Sequence, residues 1–110
     1  RILVTNDDGW QAPFLATLAQ IARDAGSHVW IVAPAVEQSY AGHRVTTRSV
    51  LSAHEYAPGC YHVGGTPADC VRVALRALHL TPDLVLSGIN HGGNLGIDVY
   101  TSGTVAACRE

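Results

Sequence analysis

A doubly wound α/β fold with a mainly parallel sheet is predicted by three observations. Short β-branched runs alternate with longer segments of helical period. The polar, glycine-bearing stretches fall directly after the apolar runs, at what would be strand ends. One region in the middle, residues 35–65, fits neither pattern and reads as an insert.

The elements follow in order. "ILVT" at 2–5 is short and apolar, as a buried strand is. "APFLATLAQIARDAG" then repeats Phe14, Leu15, Leu18, Ile21, Ala22 and Ala25 with a helical period, and Gly26 suits its end. "HVWIVAP" at 28–34 is a second strand stopped by proline, completing a β-α-β unit. Within the insert, alternating residues suggest a hairpin turning at Pro58-Gly59. In "GTPADCVRVALRALHL", Thr66 is an N-cap, Pro67 occupies the first helical position, and Asp69 lies in the dipole-favoured first turn. Val71, Ala74, Leu75 and Leu78 form its expected buried stripe. "PDLVLSGI" is the next strand, "NHGGNLGIDVYT" a glycine-rich loop, and "SGTVAACRE" the beginning of another helix.

Composition narrows the function. The 110 residues are 47% hydrophobic, enough for one small domain. A net charge of −2 with scattered arginines argues against a nucleic-acid polymer as partner. No apolar run approaches the ~20 residues of a membrane span, and no signal peptide is evident. Three cysteines without metal-ligand spacing suit a reducing, cytoplasmic setting, with Cys70 and Cys108 expected as small core residues. The chain has no methionine, so Arg1 is not expected to be the native start.

In such a fold, ligands bind beyond the carboxyl ends of the strands. Asp7 and Asp8 follow the first strand. Adjacent carboxylates repel, and a divalent cation with oxygen ligands would offset that cost. "NDDG" is equally a good turn sequence. The loop from Gly88 to Gly96 offers asparagine amides and close backbone approach, as an anion or cation site needs, although a surface loop has the same composition. Ser102, Gly103 and Thr104 stand at a helix start, where N–H groups can meet an anion or Ser102 can act as a plain cap. Ser39, His43 and Arg44 add an oxygen, a titratable ring and a cation. His91 lies inside the glycine loop. Together these pieces pair cation ligands with oxyanion donors, which suits metal-assisted phosphoryl transfer.

"ILVTNDDGWQAP", "VAPAVEQSYAGHRVTT", "GGTPADCVRVAL", "PDLVLSGINHGGNLGIDV" and "SGTVAA" resemble, in the same order, the signature blocks of the SurE family of survival-protein nucleotidases. The resemblance covers essentially the whole chain and implies a Rossmann-like fold. It implies a metal-dependent phosphomonoesterase acting on nucleoside monophosphates, with Mg²⁺ or Mn²⁺ held by Asp7, Asp8, Ser39 and Asn90. Asp7 and Asp8 are the implied catalytic carboxylates. Asn94, Ser102, Gly103 and Thr104 are implied phosphate contacts, with Asn6, Gly42 and His43 beside them. Three positions depart from the family pattern: Phe14 and Tyr40 stand where glycine is usual, and Thr101 stands where tyrosine precedes the "SGT" serine. Family chains are roughly twice this length, so residues 1–110 read as the N-terminal part of one domain. The remainder would complete the substrate region and build a homodimer or homotetramer. A nucleotide-binding or assembly module without catalysis is the alternative. A signalling receiver domain shares the acidic pair but uses a lysine, and this chain has none.

Overall fold

The computed structural model describes residues 1–38, 42–47, 50–93, 95–96 and 98–110. Among the described residues, five strands form one sheet: β1 (Ile2–Thr5), β2 (Val29–Pro34), β3 (Ala53–Ala57), β4 (Cys60–Val63) and β5 (Leu84–Ser87). Their order across the sheet is β3-β4-β2-β1-β5. β1 pairs parallel with both β2 and β5, and β2 pairs parallel with β4. Only β3 runs antiparallel, as the outer arm of the expected hairpin. The insert thus does not stand apart, because β4 joins the parallel ladder from Ile31↔Cys60 to Pro34↔Val63.

Helices cover both faces because successive strand residues point to opposite sides. On one side Val4, Ile31 and Ala33 pack with Leu15, Ala19 and Ala22 of α1 (Pro13–Asp24). On the other, Leu3, Val32 and Val63 meet Cys70, Val71 and Ala74 from α2 (Pro67–Arg72) and the π-helical turn Val73–Ala77 that continues it. Ala107 of α4 (Gly103–Arg109) completes that layer. A short α3 (Asp98–Thr101) precedes α4 inside what the sequence suggested was all loop.

The buried stripe of α1 differs from expectation. Phe14 is 44% exposed and Ile21 57% exposed, while Ala19 is fully buried. The helix packs on β1 and β2 through Leu15, Ala19 and Ala22, and that face leaves Phe14 and Ile21 turned outward. In the second layer Cys70 joins Val71 and Ala74 in the buried face, and Leu75 is exposed. Cys108 is exposed as well, contrary to its expected core place.

α2 begins as its sequence dictates. Thr66 Oγ1 accepts from Asp69 N at 3.2 Å, and Asp69 Oδ2 accepts from Thr66 N at 2.9 Å, a complete capping box with Pro67 in the first turn. Rings hold the hairpin to the loop after β1: Trp10 lies 4.4 Å from Tyr56 and 5.0 Å from His62, centroid to centroid. No helix among the described residues is long and apolar enough to cross a membrane.

Candidate functional site at the ends of β1 and β5

The chain leaves β1 toward β2 on one side and returns as β5 on the other. That reversal opens a crevice beyond the carboxyl ends of β1 and β5. Asn6, Asp7 and Asp8 enter it from β1, and Asn90 and His91 from β5. The chain can turn away beneath the acidic pair because Gly9 takes φ 101°, a left-handed value that side chains resist. Asn6 Nδ2 donates to Gly9 O at 2.8 Å and fixes that turn.

The two carboxylates face different partners. Asp8 Oδ2 accepts from His91 N at 3.1 Å, bridging the strand-end loops. Asp7 lies against the start of α4, where a Cβ added to Gly103 would come within 3.0 Å of Asp7 Cβ and 2.8 Å of Pro67 Cγ. Thr104 Oγ1 donates to Asn90 Oδ1 at 3.3 Å, and Asn90 Nδ2 donates to Gly92 O at 2.8 Å. Ser102 caps α4 by accepting from Val105 N at 3.2 Å.

Electrostatics single out Asp7. Burial pushes its carboxyl above the ordinary carboxylate value, hydrogen bonding from Thr104 opposes the rise, and the neighbouring Asp8 charge adds to it. Among the described residues, the buried side-chain oxygens and nitrogens without a hydrogen-bond partner are Thr5 Oγ1, Asn6 Oδ1, Asp7 Oδ1 and Ser87 Oγ. All four belong to the last residues of β1 and β5 or the two after β1. Orphaned buried oxygens cost free energy. Their concentration at one sheet edge marks a place built to receive electropositive groups.

No group of three His, Cys, Asp or Glu that could hold a metal occurs among the described residues. The donors gathered here are instead carboxylate and amide oxygens, the ligand class of hard divalent cations. Ser39 and Asn94 lie outside the described residues, as does Tyr40. Gln38 N donates to Asp7 O at 2.6 Å, and Gly42 N donates to Thr101 O at 2.7 Å. Gln38 is thus fastened to the acidic pair and Gly42 to the end of α3. His43 Nε2 meets Glu110 Oε2 at 2.6 Å, and Arg72 Nε lies 3.4 Å from the other oxygen of that carboxylate.

One organiser was not visible as such in the sequence. Asp69 accepts from Thr46 N and Thr46 Oγ1, each at 2.7 Å, while Thr66 Oγ1 donates to Arg44 O at 2.6 Å. The start of α2 thus latches the segment through Arg44 and Thr46. Burial opposes ionisation of Asp69, but the hydrogen bonds from Thr46 and Thr66 outweigh it and hold its carboxyl below the ordinary value.

The family model described as Survival protein SurE matches residues 2–110. A Rhodospirillum rubrum protein named 5'-nucleotidase SurE is 53% identical over 111 residues, which are 100% of this chain and 42% of that protein. A namesake from Sorangium cellulosum is 52% identical, over 99% of this chain and 43% of its own length. The crystal structure of the SurE protein from Aquifex aeolicus superposes with a TM-score of 0.89 at 40% identity, covering 96% of this chain and 44% of that one. The chain spans less than half the length of these relatives. On a match that runs through every element and the whole strand-end crevice, the chain belongs to the SurE family of survival proteins.

Proposed function

We propose that the full-length protein is a metal-dependent phosphomonoesterase that hydrolyses nucleoside monophosphates, with the β1–β5 crevice as its active site. The observation that carries this reading is Asp7 Oδ1, a buried carboxylate oxygen without a hydrogen-bond partner, beside a second carboxylate. The names of the relatives, 5'-nucleotidase, support the substrate class.

Asp7, Asp8, Ser39 and Asn90 would hold Mg²⁺ or Mn²⁺, since the donor set is all oxygen and includes the orphaned atom. When bound, such a cation neutralises phosphate charge and lowers the pKa of a water molecule. The remaining work falls to the chain. Ser102 caps α4 with its side chain, leaving the N–H groups of Gly103 and Thr104 among the first-turn donors that lack intrahelical acceptors. With Asn94, these donors meet the phosphate oxygens and favour the charge that develops on them. The Thr104 hydroxyl fixes the Asn90 amide, so that its oxygen keeps one orientation. Asn6 secures the turn that presents the acidic pair, and Gly42 secures the neighbouring segment. The bond to Glu110 orients the His43 ring, which makes His43 a candidate to exchange a proton with the leaving group.

The test is hydrolysis of AMP by the full-length protein with Mn²⁺, with excess EDTA, and in the Asp8→Asn variant. EDTA and the substitution should each lower kcat/KM about a hundredfold or more. Undiminished turnover in EDTA would refute the metal-dependent reading.

A further inference from the structure

A cavity of about 260 Å³ opens beside Asp8, lined by Asp8, Ala12, Pro13, Phe14, Glu37 and His91. Its aromatic wall comes from two distant parts of the chain. Phe14 stands in the first turn of α1, outside the helix's buried stripe of Leu15, Ala19 and Ala22. His91 is joined through its own N–H to Asp8 Oδ2. The two rings lie 6.3 Å apart between centroids and within 23° of parallel.

We propose that this cavity is the subsite for the nucleobase, with Phe14 the residue on which the base stacks. The inference rests on the phosphatase reading above, because it places the organic part of the ester next to the carboxylate that serves the phosphate. Three features fit a base. The volume is somewhat below the ~300–1,000 Å³ of sites for drug-sized ligands, a size for one ring system and not a whole nucleotide. Ala12 and Pro13 add apolar lining beside Phe14, which suits an uncharged ring. A half-exposed phenyl face beside a nearly parallel imidazole offers stacking that every base can use. The subsite therefore confers preference for nucleotides over simple phosphate esters, with broad tolerance among bases.

Full-length protein and its Phe14→Ala, Phe14→Leu and Phe14→Trp variants are compared on AMP and on ribose 5-phosphate, which lacks the base. The ratio of kcat/KM for AMP to that for ribose 5-phosphate should fall about tenfold in the Ala and Leu variants, chiefly through KM for AMP. The Trp variant should restore it. Leucine keeps apolar bulk without a π face, so a ratio unchanged in the Leu variant overturns stacking. Equal losses on both substrates also overturn it, since they assign Phe14 a structural role. Failure of the unmodified protein on both esters refutes the phosphatase reading itself, and is seen before any variant is compared.

Discussion

Thr104 Oγ1 donates to Asn90 Oδ1 across 3.3 Å, joining the first turn of α4 to the end of β5. The same residue also moderates Asp7, whose carboxyl it draws down against the effect of burial. Thr104 thus stands beside both an amide oxygen and a carboxylate proposed to share a cation, and its single hydroxyl proton serves one of them at a time. Thr104→Val keeps the shape and removes the donor, and is expected to lower kcat on AMP on the order of a hundredfold. Thr104→Ser should retain most activity. Steady-state kinetics on the pair decide the point: an equal loss in both variants would assign the role to the methyl group.

Gly103 has its place because nothing larger fits. A Cβ there would approach Pro67 Cγ to 2.8 Å and Asp7 Cβ to 3.0 Å, and the proline ring cannot swing aside. Gly103→Ala should push α4 away from the acidic pair, costing about 1–3 kcal/mol of stability. Displacement of catalytic groups is steeply felt, so activity should fall by roughly two orders of magnitude. Urea unfolding and AMP hydrolysis of the full-length variant measure the two effects separately. Near-normal activity would show that the crevice tolerates the shift.

Much of the fold was legible because local signals agreed. Short apolar runs gave β1, β2 and β5, Thr66 and Pro67 announced α2, and Pro58-Gly59 announced the hairpin. The buried face of α1 was read only in part: Leu15 and Ala22 were expected there, but Ala19 was missed because alanine carries little hydropathic signal, although it lets the helix approach the sheet. The acidic pair was legible through its position after a strand. The latch at Asp69 was not, because its partner Thr46 lies 23 residues earlier in a segment without periodicity. Phe14 and His91 meet only because β1 and β5 are neighbours in the sheet, a relation no local pattern contains.

Asp69 gives the protein an acid-sensitive latch. Its carboxyl is held below its ordinary value of 3.8, burial opposing and hydrogen bonds from Thr46 and Thr66 prevailing. A depressed carboxylate contributes stability that is fully present above the unfolded value and is lost as pH falls through the folded one. Asp69→Asn weakens this cluster of charge-assisted bonds and should cost about 2 kcal/mol at pH 7. The difference from the unmodified protein should narrow below pH of about 4, as protonation removes the charge there too. Urea titrations across pH 3–7 test this. A gap that stays constant across the range would show that the carboxylate charge contributes nothing to the latch.

Asp7 should show the opposite balance between stability and function. It is buried beside Asp8, and burial first, then the Asp8 charge, disfavours its ionised form. Asp7→Asn removes that charge in a side chain of similar shape. In EDTA at neutral pH the variant should melt roughly 2 °C or more above the unmodified protein, while AMP hydrolysis in Mn²⁺ falls at least about a hundredfold. Metal binding offers a readout independent of turnover. A ligand that binds only the folded state raises the melting temperature with its concentration. Mn²⁺ should therefore stabilise the unmodified protein strongly and Asp7→Asn weakly. Equal Mn²⁺ shifts in the two proteins would remove Asp7 from the proposed ligand set, and its orphaned oxygen would then need another partner.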